Sequence, residues 1–279
     1  SFSIWVRLLN AELLPYQQIG FRNALALIIS LLVIALTRQS FTSVKSVSPW
    51  WLLAYTLTFP IAVVLYTLSV LQISIMSTIF GLYLGSLVTS LIIGISIFKE
   101  SITLPKQISL VLVMLGLVTY IYPFQSEMLS VGLLLAILSG GFDALANSFR
   151  KFLAGKIDRF VLVSLQMIGG LGVALVLMLT FQQTTLPSLS PLSWLIGVVF
   201  GLSLVAISYL TLVGFSNFDL NLGTVVLSTE LFFAALLGFL VFQEEASSTQ
   251  MLGGALLLLA SGITNVSDQQ FRQFFSRRK

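Results

Sequence analysis

The chain of 279 residues is 57% hydrophobic and only 9% charged, with a mean hydropathy of +1.03, against the roughly 25% charged residues of a soluble domain. It contains no cysteine and no histidine, which excludes disulfides, thiol catalysis, haem and most zinc or copper sites. A net charge of +4 would point to nucleic acid in a soluble protein, but here the basic residues gather in particular loops, so no nucleic-acid partner is expected.

A helix needs about 20 apolar residues to cross a bilayer. Blocks of that kind run over 16–37, 50–71, 73–98, 106–123, 128–153, 157–181, 191–215, 222–242 and 250–267. They are continuous rather than alternating, so they read as helices and not as a barrel. The expected fold is all-α, a polytopic membrane helical bundle. The segment Phe98 to Thr103 recurs as Phe242 to Ser247, an offset of 144 residues that also carries Trp50 onto Trp194, Arg7 onto Lys151 and Lys106 onto Gln250. Fixed-period similarity of this kind marks an internal duplication. It divides the chain into a first five-helix repeat over 1–123, a second over 128–267 and a basic tail over 268–279. At the same offset, residues 1–9 match 145–153, the end of a long helix, so the duplication predicts about 15–20 residues of a first helix ahead of Ser1, ten helices in all.

With that partial helix counted first, the loops after helices 2, 4 and 6 and the tail hold 12 of the 14 basic residues, among them Arg38, Lys45, Lys99, Lys106, Lys151 and Arg277. The positive-inside rule places these loops and the C-terminus in the cytoplasm. Five helices per repeat is an odd number, so the second copy enters the membrane from the opposite side and the repeats are inverted, an architecture that many secondary transporters use to exchange two states.

Two acids fall inside membrane segments, where charge is expensive and usually functional. Asp143 lies about 10 Å, and Glu230 about 12 Å, from the cytoplasmic ends of helices 6 and 9, at 1.5 Å per residue. On helix 6, Ser139, Gly140, Asp143, Asn147 and Arg150 follow helical spacing and form one polar stripe. Gly223, Glu230, Ala234 and Gly238 make a small-residue stripe on helix 9, and Tyr83, Ser86, Ser90 and Gly94 a similar one on helix 4. Tyr83, Ser86 and Tyr209 join Asp143, Glu230, Asn147 and Ser139 as candidates for a substrate or proton site. For the acids three roles compete: proton coupling, recognition of a substrate ammonium group, and a structural pairing such as Asp143 with Arg150. Pro60, in mid-helix 3, should kink or break that helix and is a candidate gating hinge. Arg22 sits about 9 Å inside the outer boundary, within snorkelling reach. Trp50, Trp51 and Trp194 read as interfacial anchors. The motifs Gly81-x-x-x-Gly85 and Gly197-x-x-x-Gly201 read as close internal packing more readily than as a dimer interface, leaving monomer or homodimer open.

The pattern Glu100, Thr103, Lys106, Ser109 and its copy Glu244, Ser247, Gln250, Gly253, each opening an apolar helix, resembles the paired repeats of the drug/metabolite transporter superfamily, EamA type. Two departures are a missing proline in helices 4 and 9, where Leu84 and Ser228 lie near its usual place, and Ser109 where glycine is usual. The resemblance implies a central cavity lined by helices 1, 3, 4, 6, 8 and 9. Read physically, Glu100 and Glu244 supply capping groups before the last helix of each repeat. The expected function is a secondary transporter of small organic metabolites, most plausibly exporting amino acids or related compounds across a bacterial inner membrane, with proton coupling open. No Walker-type phosphate loop, metal set or cofactor motif occurs. The alternatives are a membrane-embedded enzyme acting on a lipid, with the two acids as acid and base, and a non-transporting scaffold.

Overall fold

The computed structural model describes residues 2–123, 130–185, 187–233, 236 and 247–264. The helices are α1 (Phe2–Leu9), α2 (Pro15–Thr37), α3 (Pro49–Val70), α4 (Ile75–Ser96), α5 (Leu104–Ile121), α6 (Val131–Leu153), α7 (Arg159–Thr180), α8 (Pro191–Asn217), α9 (Leu220–Ser228) and α10 (Ser248–Thr264). Seven of them, α2 to α8, are long and apolar enough to cross a membrane, and α9 and α10 are shorter apolar helices. Their starts are written locally. Proline stands in the first turn of α2, α3, α5 and α8, where its missing N–H costs nothing. The hydroxyls of Ser74, Ser130 and Ser190 accept from the third backbone N–H of α4, α6 and α8.

Shifting α2 by 144 residues gives 159–181 against α7, and shifting α5 gives 248–265 against α10. These counterparts pack against each other. Gly20 lies against Ala174 and Met178, Gly170 against Asn23, and the Ser164 hydroxyl donates to Ser30 at 2.9 Å, so α2 and α7 run antiparallel. Gly116 meets Gly253 and Leu257, while Gly253 meets Tyr120, so α5 and α10 are antiparallel too. An inverted duplication requires this arrangement.

Apolar burial gathers the helices around two main cores, with Leu133 of α6 reaching into the second and a small cluster of Ile93, Phe215 and Leu220 bridging them. One core draws on α1, α2, α3, α6, α7 and α8, with Val6, Tyr55, Leu153, Met167 and Phe200 fully buried. The other joins α4, α5, α9 and α10 through Leu87, Val113, Leu117, Val225 and Leu257. The bodies meet where α4 crosses α6 in parallel. A side chain at Gly85 would sit 2.0 Å from the Ile137 carbonyl oxygen, and one at Gly140 would sit 1.9 Å from that of Leu82. Gly81 and Gly85 therefore pack inside the chain, as do Gly197 and Gly201, which face Phe21, Leu25 and Ala26 of α2.

The structure departs from the sequence reading in three places. α3 continues unbroken through Pro60. The proline removes the N–H that would bond the Thr56 carbonyl, and that carbonyl lies against Gly169 of α7, where a Cβ would stand 2.0 Å away. Close approach of α7 thus shelters the freed group and supports the helix. Conversely, the continuous helix expected over 222–242 is interrupted: α9 ends at Ser228 and helix resumes at Glu230 after a turn at Thr229. The hydroxyls of Ser228 and Thr229 donate to the carbonyls of Val225 and Val226, each at 2.7 Å, competing with the backbone ladder. Ser228, near the usual place of the missing proline, therefore lies at this interruption. Ala234, Gly238, Glu244 and the tail over 268–279 lie outside the described residues. Finally, Arg22 does not snorkel. It is fully buried, donates to Thr67 at 2.9 Å and lies over the rings of Phe2 and Phe200.

The glycine crossing is open to test by thermal or denaturant unfolding in detergent. Gly140→Ala should destabilise by about 1–3 kcal/mol, because backbone cannot yield as a side chain can. Gly172→Ala, whose Cβ meets nothing within 4 Å, should be neutral or stabilising by up to about 1 kcal/mol. Equal effects would refute the close-packing account.

Candidate functional site

The seam between the two bodies encloses a cavity of about 450 Å³, within the usual range for small-molecule sites of roughly 300–1,000 Å³. Its wall comes from six helices: α1 with Phe2 and Trp5, α3 with Phe59 and Tyr66, α4 with Tyr83, α6 with Asp143 and Arg150, α8 with Ser208 and Thr211, and α9 with Leu227, followed by Glu230 beyond the turn. These are the helices that the resemblance implied.

The polar stripe of α6 supplies one side. Its pitch brings Ser139, Asp143, Asn147 and Arg150 into the cavity, while Gly140 turns toward α4. Ser139 is spent on packing, its hydroxyl donating to the Ala62 carbonyl at 2.8 Å. Asn147 is a bridge: its amide donates to Asp143 at 3.0 Å and its carbonyl accepts from Arg150. Arg150 also reaches Gln166 at 3.4 Å and lies over the Phe59 ring, 4.7 Å from its centre. Of the three sequence-level roles for Asp143, the geometry of a structural pairing with Arg150 is therefore present, relayed through Asn147.

Glu230 stands differently. Among the described residues its one hydrogen bond comes from the Tyr83 hydroxyl, at 2.7 Å, and no cation pairs with it. It is partly accessible, as is Asp143, and both line the same cavity. The aromatic groups Phe2, Trp5, Phe59 and Tyr66 surround these polar groups, and Tyr66 shares a 2.5 Å hydrogen bond with Ser3.

Of the sequence candidates, Asp143, Glu230, Asn147, Ser139 and Tyr83 converge on the cavity and two do not. Ser86 is buried in the α4–α6 crossing, its backbone nitrogen beside Gly140. Tyr209 stacks on Phe160 at 4.7 Å with Arg159 above it, because its position on α8 is one step round the helix from Ser208. Pro60 is buried in α3, with its neighbours Phe59 and Ala62 on the cavity wall. The residue that sequence reasoning undervalued is Arg150. It was counted as a loop charge, although its place in the α6 stripe already put it on the face of Asp143. Tyr66 and Phe59 carried no signal beyond being aromatic.

An all-helical membrane bundle with a polar chamber at the seam of two bodies, each built from helices of both halves of the chain, has the make-up of a multi-pass membrane protein with a small-molecule site. Residues 130–266 match the model of the EamA-like transporter family, part of the drug/metabolite transporter superfamily. No curated protein matches the sequence. A crystal structure described only as that of a protein is similar in fold, with a TM-score of 0.72 and 15% identity over 95% of this chain and 94% of the other.

The relay on α6 predicts strong coupling. Asp143→Asn and Arg150→Gln should each destabilise the detergent-solubilised protein, since each strands a charge inside the bundle, and the double variant should recover about 0.5–3 kcal/mol relative to their sum. Additive losses in a double-mutant cycle would show that the two charges do not compensate each other.

Proposed function

We propose that the protein is a secondary transporter that moves small organic metabolites, amino acids or related compounds, by alternating access at this cavity, in the export direction and across a bacterial inner membrane with the C-terminus in the cytoplasm. The observation that carries the reading is the contrast between the two intramembrane acids. Asp143 has its charge answered by Arg150 through Asn147, whereas Glu230 is held by one neutral hydroxyl. An intramembrane carboxylate without a cation is suited to take up a proton or a substrate ammonium group. Glu230 is accordingly the coupling group, and the Asp143–Arg150 pair sets the polarity of the chamber for a zwitterion or cation. The aromatic wall accepts an apolar side chain.

The repeats over 1–123 and 128–267 act in this reading as two exchangeable halves. The orientation follows from charge. The Gln39 side-chain Oε1 accepts from the Phe160 N–H, the Ser40 N–H donates to Asp158, and Lys106 and Lys151 share Asp219, so the loops after α2, α4, α6 and α8 gather at one end. Arg38, Lys45, Lys99, Lys106, Lys151, Lys156 and Arg159 are all at that basic end.

The test is counterflow of a radiolabelled amino-acid and amine panel in proteoliposomes, which needs no imposed gradient. Wild type should exchange at least one solute unchanged. Glu230→Gln should keep exchange and lose uptake driven by a pH gradient, while Asp143→Asn, which leaves Arg150 unanswered in the chamber, should lose exchange itself. A chemically altered solute would replace the reading with an enzyme, and inert protein across the panel with a scaffold.

A further inference from the structure

The acid that opens the repeated motif does not cap the helix that follows it. Thr103, the N-cap of α5, makes no side-chain cap bond. Glu100 reaches instead across the bundle to α9. One of its oxygens accepts the Leu220 N–H at 2.6 Å and the other accepts that of Asn221 at 3.3 Å. Carboxylates are favoured at such a helix start. Gly94 makes room for this: a Cβ there would lie 2.6 Å from the Asn221 side chain and 2.8 Å from Glu100. The carboxylate is almost wholly enclosed, its side chain 4% exposed.

Into this knot comes Lys151, from the last turn of α6. Its ammonium group is 2.7 Å from Glu100 and 3.7 Å from Asp219, and lies over the Phe98 ring. Asp219 is held in turn by Lys106 at 2.6 Å. Burial pushes the Asp219 carboxyl up, but its bond to Lys106 and the charges of Lys106 and Lys151 outweigh this and hold it below the ordinary carboxylate value.

Glu100, Asp219 and Lys106 all belong to the α4, α5 and α9 body, and Lys151 to the other. The contact therefore crosses the seam, at the basic end of the cavity, where α4, α6 and α8 end and α9 begins. The opposite end is joined by other chemistry. Arg7, which the 144-residue offset equates with Lys151, donates to the neutral backbone carbonyls of Val70 at 3.5 Å and Ile73 at 3.1 Å. The tight α4–α6 crossing runs from Gly81 and Ala136 to Thr89 and Gly141, away from Lys151, and is placed to act as a pivot.

We infer that Lys151, received by Glu100 and Asp219, is the latch that closes the cavity at the basic end, and that opening to that side requires the Lys151 ion pairs to break while Glu100 stays on α9. The inference rests on the transport reading for its purpose, but its measurement does not, because accessibility can be read whether or not solute moves.

The sequence of 279 residues has no cysteine, so in it Thr211→Cys, on the cavity wall, gives a single probe for a membrane-impermeant maleimide in sealed vesicles of either orientation. In this background, labelling from the basic side should be slow. Lys151→Met should speed it by about tenfold, the population shift that a charge-assisted hydrogen bond sustains, with labelling from the other side unchanged or slower. Gly94→Ala, which removes no charge but displaces Glu100 and Asn221, should act in the same direction. Labelling unchanged in both variants, or raised equally from both sides as in a merely loosened protein, would overturn the latch. Counterflow on the same vesicles separates the two readings: altered access without exchange in any variant refutes transport and leaves the latch standing.

Discussion

Hydrocarbon cannot solvate a carboxylate or a guanidinium, and the ionisable groups set within the spans, Arg22, Asp143, Arg150 and Glu230, all turn inward. The architecture follows from how each is satisfied. Arg22 is enclosed by two phenylalanine rings and a threonine, a desolvated cation on aromatic faces. Asp143 and Arg150 answer each other through a single amide. Glu230 receives one hydroxyl. Glu230 lies on the cavity with Asp143 and Arg150, whereas Arg22, away from it, keeps two buried nitrogens without a hydrogen-bond partner among the described residues.

The second organising feature is backbone proximity. In lipid, association between helices depends on packing and hydrogen bonding rather than on expulsion of water, and here it is achieved by glycines that let carbonyls come to within contact of a facing Cα. Gly85 and Gly140 do so for α4 and α6, Gly116 and Gly253 for α5 and α10, and Gly169 for α3 and α7. At Gly169 the approach has a second effect, since the facing carbonyl is the one that Pro60 deprives of its donor. At the end of α9 the hydroxyls of Ser228 and Thr229 bond the carbonyls of Val225 and Val226 just before Glu230, which accepts from Tyr83.

Much of this was legible beforehand. Eight of the nine apolar blocks became helices with ends shifted by a few residues, the block over 222–242 being interrupted after Ser228, and the 144-residue offset reproduced the bounds of α7 from α2 and of α10 from α5. Helical period alone grouped Asp143 with Asn147 and Arg150. What periodicity could not rank was the neighbourhood of each side chain. Tyr209 and Ser208 are adjacent in sequence and face different partners, and Ser86 looks like Tyr83 in a stripe but is enclosed by the α6 backbone. Glu100 carries the sharpest lesson. Local grammar assigned it to the helix three residues ahead, yet it caps one that begins 120 residues later.

The amino-acid sequence by itself determined the class of solvent, the all-helical architecture, the places of most spans and the charge bias between the two ends. These depend on hydropathy, spacing and count, which are properties of the chain read along its length. The tertiary structure alone decided which acid is paired and which is free, that Arg22 is enclosed, and that Lys151 closes on an acid of the other body. Those outcomes depend on distance between segments far apart in sequence. Where water is absent, a shift of a few ångströms separates a compensated charge from an uncompensated one.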